Sequence, residues 1–576
     1  MSSPVRRSFG IATLLSVVLA MLIAPVGLGY SDGSTSVEGI DVDTTTIPEL
    51  QALMDAGRLT SAQLTQFYLD RIDRLNPKLN AVITVNPTAM AAARAADDAR
   101  AEGDDRPLLG MPIILKDNIH TTGMATTAGS WALADSTPSD AFIVQQLRAA
   151  GALIIGKANL SEWANFRSDP SSSGWSGIGG QTNMAYVLDR NPCGSSSGSA
   201  VAVSADLAVA AVGTETDGSV VCPSGANAVV GIKPTLGLLS RSGIIPITAD
   251  QDTAGPMARN VTDAAVLLGA MTGIDPDDAA TAAQAGNAVA DYTQYLDEDA
   301  LDGARIGVWR AGTFGIDERV DAIMEATIDA LEEAGATIVD PADLAIDDAY
   351  EPEFAALLCE FKDDIADYLE TYTEASYPKT LQDLIDFNEA NPDLEGPWNS
   401  ALFELSQETG GRAAADCIEA RETANSIARD AINDTMSSNN LDAIIGPTNG
   451  PAWVTDPVNG DLGGDFSTFI GSSSAAAISG YANVTVPAGF VGELPVGVSF
   501  MAGRWDEPTL IALAYSFEQA TQVRRPPQFL PDTALVHPGG PSTHDATRAN
   551  LIALAGVLTF LAALAHVRRR HAAEGV

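Results

Sequence analysis

Between residues 47 and 521, short apolar runs alternate with amphipathic helix-forming stretches, which restricts the chain to a layered α/β architecture. Residues 47–75 have helical spacing, and Thr60, Ser61 and Gln63 form a helix-start pattern. An alanine-rich helix is predicted over 89–102, a buried strand over 112–115 (PIIL), a helix over 141–150 and a strand over 152–155 (ALII). This order predicts a largely parallel sheet. Beyond residue 303 the pattern resumes with a strand (ARIGVWR), a helix over 318–334 and a strand over 336–339. Residues 350–433 are acidic and helix-rich, and strand signals return at 441–445, 483–487 and 496–500 before a helix over 508–521. A helical insertion carried by one α/β core accounts for that sequence of elements. No internal repeat is present.

Within this frame, residues 193–219 (CGSSSGSAVAVSADLAVAAVGTETDGS) place two serine-rich glycine turns around a small-residue segment. Upstream, Lys116 sits in MPIILKDNI. Serines on tight glycine turns can offer both hydroxyls and backbone N–H groups to a carbonyl, the requirements of acyl transfer. Only six lysines occur, at 78, 116, 157, 233, 362 and 379, so each survivor is a candidate for a specific task. Of the five histidines, only His120 lies near the motif, which leaves a Ser-His-Asp mechanism short of bases. A lysine near its reference pKa of about 10.4 cannot accept a proton at neutral pH. Burial among Ile113, Ile114 and Leu115 lowers that value.

Composition excludes several function classes. With 46% hydrophobic residues the chain is too apolar for disorder, and its net charge of −43 repels nucleic acid and anionic lipid. That acidity is read as adaptation to high salt. Cys193, Cys222, Cys359 and Cys417 show no C-x-x-C pair and no zinc spacing. They are read as buried thiols, with a Cys193–Cys222 pair as the alternative in an oxidising compartment.

Both ends read as targeting segments. Residues 1–29 contain Arg6 and Arg7 followed by an apolar run over 11–26, a signal peptide of the twin-arginine type. Residues 526–549 form a Pro/Gly-rich stalk, and 550–567 an apolar segment followed by Arg568, Arg569 and Arg570, read as a C-terminal transmembrane tether. The expectation is an exported protein held at the extracellular face of the cell membrane, with its main domain over 44–525.

The motifs resemble the amidase signature family. The resemblance rests on Cys193-Gly-Ser195-Ser196-Ser197-Gly198-Ser199-Ala200, on Gly213-Thr-Glu215-Thr216-Asp217-Gly218-Ser219 and on Leu115-Lys116-Asp117-Asn118-Ile119. Matches around Lys233, at 252–259 and at 494–497 extend it over most of the chain. It implies a single large mixed β-sheet flanked by helices on both faces, and a Ser-cisSer-Lys triad without metal or cofactor. Ser219 would then be the acylated nucleophile, Ser195 the bridging serine and Lys116 the base. The N–H groups of Thr216, Asp217, Gly218 and Ser219 would form the oxyanion hole.

Three positions depart from the family pattern. Glu215 replaces an aspartate, Asp217 a glycine, and Val221 stands where many members carry arginine. The stretches 213–224 and 161–183 look most like the peptide-amidase branch, and the missing arginine at Val221 argues against recognition of a substrate carboxylate. Peptide amides or small carboxamides are the expected substrates. A fatty-acid or aryl-acyl amidase and a catalytically inactive binding protein remain as alternatives. A further reading takes Gly194–Gly198 as a G-x-S-x-G elbow centred on Ser196, but no strand precedes it. Ser376 and Lys379 match S-x-x-K by chance, because Pro378 interrupts the helix it needs.

Overall fold

The computed structural model describes residues 35–461 and 470–532. The helical pattern from residue 47 resolves into two helices, Ile47–Asp55 and Ser61–Leu79, with capping boxes built by Thr46 with Glu49 and by Thr60 with Gln63. Gly57, at φ 65°, turns the chain between them.

Among the described residues, eleven strands form one sheet. From one edge to the other they are Thr337–Val339, Arg305–Val308, Ala443–Pro447, Leu494–Met501, Asn483–Val491, Val230–Lys233, Thr253–Ala258, Ala210–Glu215, Pro112–Lys116, Leu153–Ala158 and Val82–Val85. Helices flank the sheet, and Leu, Ile, Val and Ala side chains between the layers form one large apolar core.

The sheet is mixed, not largely parallel. Pro112–Lys116 runs parallel to both its neighbours, and Arg305–Val308 does likewise. The remaining pairings, including all those of the central strands, are antiparallel. The difference arises in strands that carry weak β signals. Ala210–Glu215 (AAVGTE) and Thr253–Ala258 (TAGPMA) are rich in small residues, yet they are fully buried and pair along their whole length. Their glycines serve close approach. A Cβ at Gly213 would meet Ser196 Oγ at 2.7 Å, and one at Gly255 would meet the Ile232 carbonyl oxygen at 2.2 Å.

Between strands Thr337–Val339 and Ala443–Pro447 the chain forms helices Tyr350–Tyr372, Leu381–Ala390, Ala401–Glu408 and Ala415–Asn439. A second apolar cluster, including Leu358, Phe361, Ile365 and Phe403, seats this layer on Trp163, Phe166, Ile245 and Ile247 of the loops.

The buried-thiol reading is corrected: Cys193 is bonded to Cys222 and Cys359 to Cys417. Sequence spacing could not show that folding brings the Cα atoms to 6.0 and 6.1 Å, within disulfide reach. The first bond closes a loop of sequence separation 29 around both serine turns. Replacing Cys193 and Cys222 with Ala is expected to cost about 3 kcal/mol in urea unfolding, because the open chain regains loop entropy. An unchanged unfolding midpoint would show that the crosslink adds no stability.

The expected placement at the extracellular face of a membrane is also corrected. Among the described residues no helix is long and apolar enough to cross a membrane. Tyr350–Tyr372 and Ala415–Asn439 have the length, but acidic residues such as Glu351, Glu353, Asp416 and Glu419 interrupt them. The segments read as leader (1–29) and apolar tail (550–567), and all but the start of the stalk (526–549), lie outside the described residues.

Candidate active site

Strand Pro112–Lys116, parallel to both its neighbours, ends on its lysine, and Ile113, Ile114, Leu115 and Lys116 are all fully buried. Lys116 Nζ lies 2.8 Å from Ser195 Oγ, 2.9 Å from Thr214 Oγ1 and 3.1 Å from the Thr214 carbonyl oxygen. Burial pushes the lysine down to about 7, against the opposing pull of Asp252 and Glu215. A neutral amine has two N–H groups and one lone pair. The two Thr214 oxygens can take the N–H groups, which leaves the lone pair for the Ser195 hydroxyl. Asn118 Nδ2 donates to the same Thr214 Oγ1 at 2.9 Å and steadies it.

The serines of the first turn separate clearly. Ser196 Oγ donates to the Thr214 carbonyl at 3.0 Å and accepts from its N–H at 3.1 Å. Ser197 Oγ donates to the Cys193 carbonyl and Ser199 Oγ to the Val212 carbonyl. Those three hold backbone, and Ser195 is the one that meets Lys116. The Gly194–Ser195 peptide is cis. Because Ser196 is fully buried and committed to the strand Ala210–Glu215, it cannot act as an exposed elbow nucleophile.

Ser219 closes the second turn, just before the short helix Val221–Ala226, and is 8% exposed. Its carbonyl accepts from Ser196 N–H at 3.1 Å, which locks the two turns together. Among the described residues, the N–H groups of Thr216, Asp217, Gly218 and Ser219 meet no acceptor within the protein. The Thr216 hydroxyl donates to Asp252 at 2.5 Å and its carbonyl accepts from Gln251 Nε2 at 3.0 Å. Gly218 has φ 76°, and a Cβ there would meet Ser473 Oγ at 3.0 Å, so the turn requires glycine.

Each departure from the family pattern has a structural counterpart. Glu215 Oε2 accepts from the N–H groups of Val220 and Val221 at 2.8 and 3.0 Å and so caps the short helix. Asp217 accepts from Ser473 Oγ at 2.5 Å. Val221 is fully buried. Burial, together with the Asp217 charge, pushes Glu353 up to about 8. His120 lies off the constellation, with Nε2 2.7 Å from the Tyr368 hydroxyl, and burial holds it at about 3. Lys379 donates to the Leu369 and Thr373 carbonyls at a helix end, in keeping with a chance S-x-x-K match.

The model of the family described as Amidase matches residues 63–511. The chain belongs to the amidase family. Native peptide amidase from Stenotrophomonas maltophilia shares 47% identity and a TM-score of 0.80, over 84% of this chain and 99% of that one. A probable amidase of Arabidopsis thaliana is 38% identical over 91% of this chain and 98% of its own length. A putative amidase of Schizosaccharomyces pombe is 36% identical over 85% of this chain and 88% of its own length. The chain is thus an amide-hydrolysing enzyme with the mixed α/β fold of this family, and the non-catalytic alternative falls away.

Sequence reasoning passed over Thr214, Gln251 and Glu353. Thr214 stood inside a quoted motif and could have been found there. Gln251 adjoins the stretch that starts at Asp252, while Glu353 is one acid among many on its helix and carried no signal.

Proposed function

We propose that this amidase hydrolyses carboxamides, peptide C-terminal amides first among them, through an acyl-enzyme on Ser219. The observation that carries the reading is the 2.8 Å contact of a fully buried Lys116 Nζ with Ser195 Oγ, beside a turn with unpaired N–H groups. Ser219 Oγ attacks the amide carbon, and its proton passes to Ser195 Oγ while the Ser195 proton passes to Lys116 Nζ. The carbonyl oxygen becomes an oxyanion held by the turn N–H groups of Thr216, Asp217, Gly218 and Ser219. Collapse breaks the C–N bond, and the relay runs backwards to protonate the departing amine. Water then attacks the ester, loses its proton through the same relay and releases the carboxylic acid and Ser219. The catalytic unit is the 44–525 region with its helical insertion.

The substrate class rests on two supports. The peptide amidase of Stenotrophomonas maltophilia is similar over nearly its whole length. In addition, Val221, Asp217 and Glu353 surround the turn with apolar and acidic groups, which suit a neutral amide better than a carboxylate. Ammonia release from N-acetylated peptide amides is expected at a kcat/KM at least ~10-fold above that for fatty amides and aryl anilides, a margin of about 1.4 kcal/mol in transition-state binding. The reverse order would overturn the substrate assignment.

A further inference from the structure

The peptide unit between Thr216 and Asp217 presents a carbonyl on one side and an unpaired turn N–H on the other. It is trans, and a planar trans peptide whose C=O is held has its N–H direction held too. The holder is Gln251, 1% exposed, whose Nε2 donates to the Thr216 carbonyl at 3.0 Å. Both N–H groups and the oxygen of that side-chain amide are engaged. Nε2 also donates to Glu353 Oε1 at 2.6 Å, and Oε1 accepts from Arg421 Nη1 at 2.6 Å. A reversed amide would set its oxygen against the Thr216 carbonyl, and its NH₂ against a guanidinium, so these two partners determine its orientation.

The supports lie in the helical layer. Arg421 forks onto Glu360 at 2.9 and 2.7 Å, and Glu360 Oε2 accepts from Thr248 Oγ1 at 2.6 Å. Cys359, adjacent to Glu360, is bonded to Cys417, one turn before Arg421, so a covalent link joins the two helices beside the pair. The residues that hold the amide thus sit on Tyr350–Tyr372 and Ala415–Asn439, and the amide itself reaches into the turn.

We infer that Gln251 is a positioning residue for the oxyanion hole: clamped by Glu353 and Arg421, it aims the Asp217 N–H at the oxygen that gains charge in the transition state. The inference rests on the assignment of Ser219 and its turn proposed above. A purely structural role for this buried network would weaken substrate and transition state alike, whereas an aiming role weakens only the species that bears the oxyanion.

Two variants of the full chain test this. Gln251→Met removes both donors. Gln251→Glu keeps the shape and the Arg421 contact but has no donor for Thr216, and it keeps the test measurable if the first variant does not fold. Each is assayed with a peptide aldehyde, whose hemiacetal on Ser219 carries an oxyanion, and with the peptide alcohol of the same sequence, which forms none. The expected result is an aldehyde inhibition constant raised about 10- to 100-fold, a matching fall in kcat, and KM and the alcohol constant changed less than about threefold. Inhibition constants do not depend on the fraction of folded protein. Equal weakening of aldehyde and alcohol, or no weakening of either, overturns the inference while Ser219 keeps its role. Failure of a fluorophosphonate to label Ser219 in the unaltered enzyme would instead remove the underlying assignment and the inference with it.

Discussion

Ser219→Ala is expected to lower ammonia release from a peptide amide by at least ~10⁴-fold, the scale seen when a nucleophile is taken from a relay that works as a unit. In the proposed mechanism this hydroxyl forms the bond to carbon, and no other serine of the two turns can replace it. Ser196, Ser197 and Ser199 are tied to backbone carbonyls, and Ser195 is held by Lys116. The protein around residue 219 should be undisturbed, because the carbonyl that accepts from Ser196 N–H belongs to the backbone and survives the substitution. A thermal midpoint within a degree or two of the unaltered enzyme, together with loss of the fluorophosphonate adduct, is therefore the accompanying result. Full turnover by this variant would sink the acyl-enzyme assignment.

Lys116→Arg should be nearly as severe as Lys116→Met, although it keeps the positive charge. An arginine cannot be deprotonated within a protein, so it can donate to Ser195 Oγ but never accept from it. Retained activity in the arginine variant would show that position 116 supplies charge and not basicity. The same argument sets the pH profile. In the proposed relay Lys116 acts as the neutral amine and burial brings it down to about 7, so kcat/KM should rise about tenfold per pH unit below that value and level off above it. Stability follows the same sign. The unfolded lysine, near 10.4, binds a proton that the folded one has lost between about 7 and 10.4. Across that window this residue's contribution becomes less unfavourable as pH rises, and its burial cost is largest below about 7. An acid limb unchanged in a residually active Lys116→Met variant would assign that limb to another group.

Much of the fold was legible where periodicity and burial agree. The capping box at Thr60, the strand that carries Lys116 and the helices near 89–102, 141–150 and 318–334 formed close to where their patterns lie. The sheet's hand of pairing was not legible. Ala210–Glu215 and Thr253–Ala258 consist of small residues selected for close approach to Ser196 and Ile232, so they lack the branched and aromatic side chains that mark a strand. Chain ends were read from charge and hydropathy alone, and that reading led to a membrane placement which no described helix supports.

The sequence by itself determined the chemistry on offer. A lysine in an apolar run, two serine-glycine turns and a near absence of histidine are local facts, and they require no knowledge of what touches what. The family resemblance points to Ser195, but only the tertiary structure brings it within hydrogen-bond reach of the lysine, 79 residues away. Tertiary structure likewise decided that the cysteines pair and that Gln251, Glu353 and Arg421 converge behind the turn. The physical reason is the same in each case. A hydrogen bond or a disulfide needs its partners within a few ångströms, and for residues far apart in the chain that distance is set by neighbouring strands and packed helices.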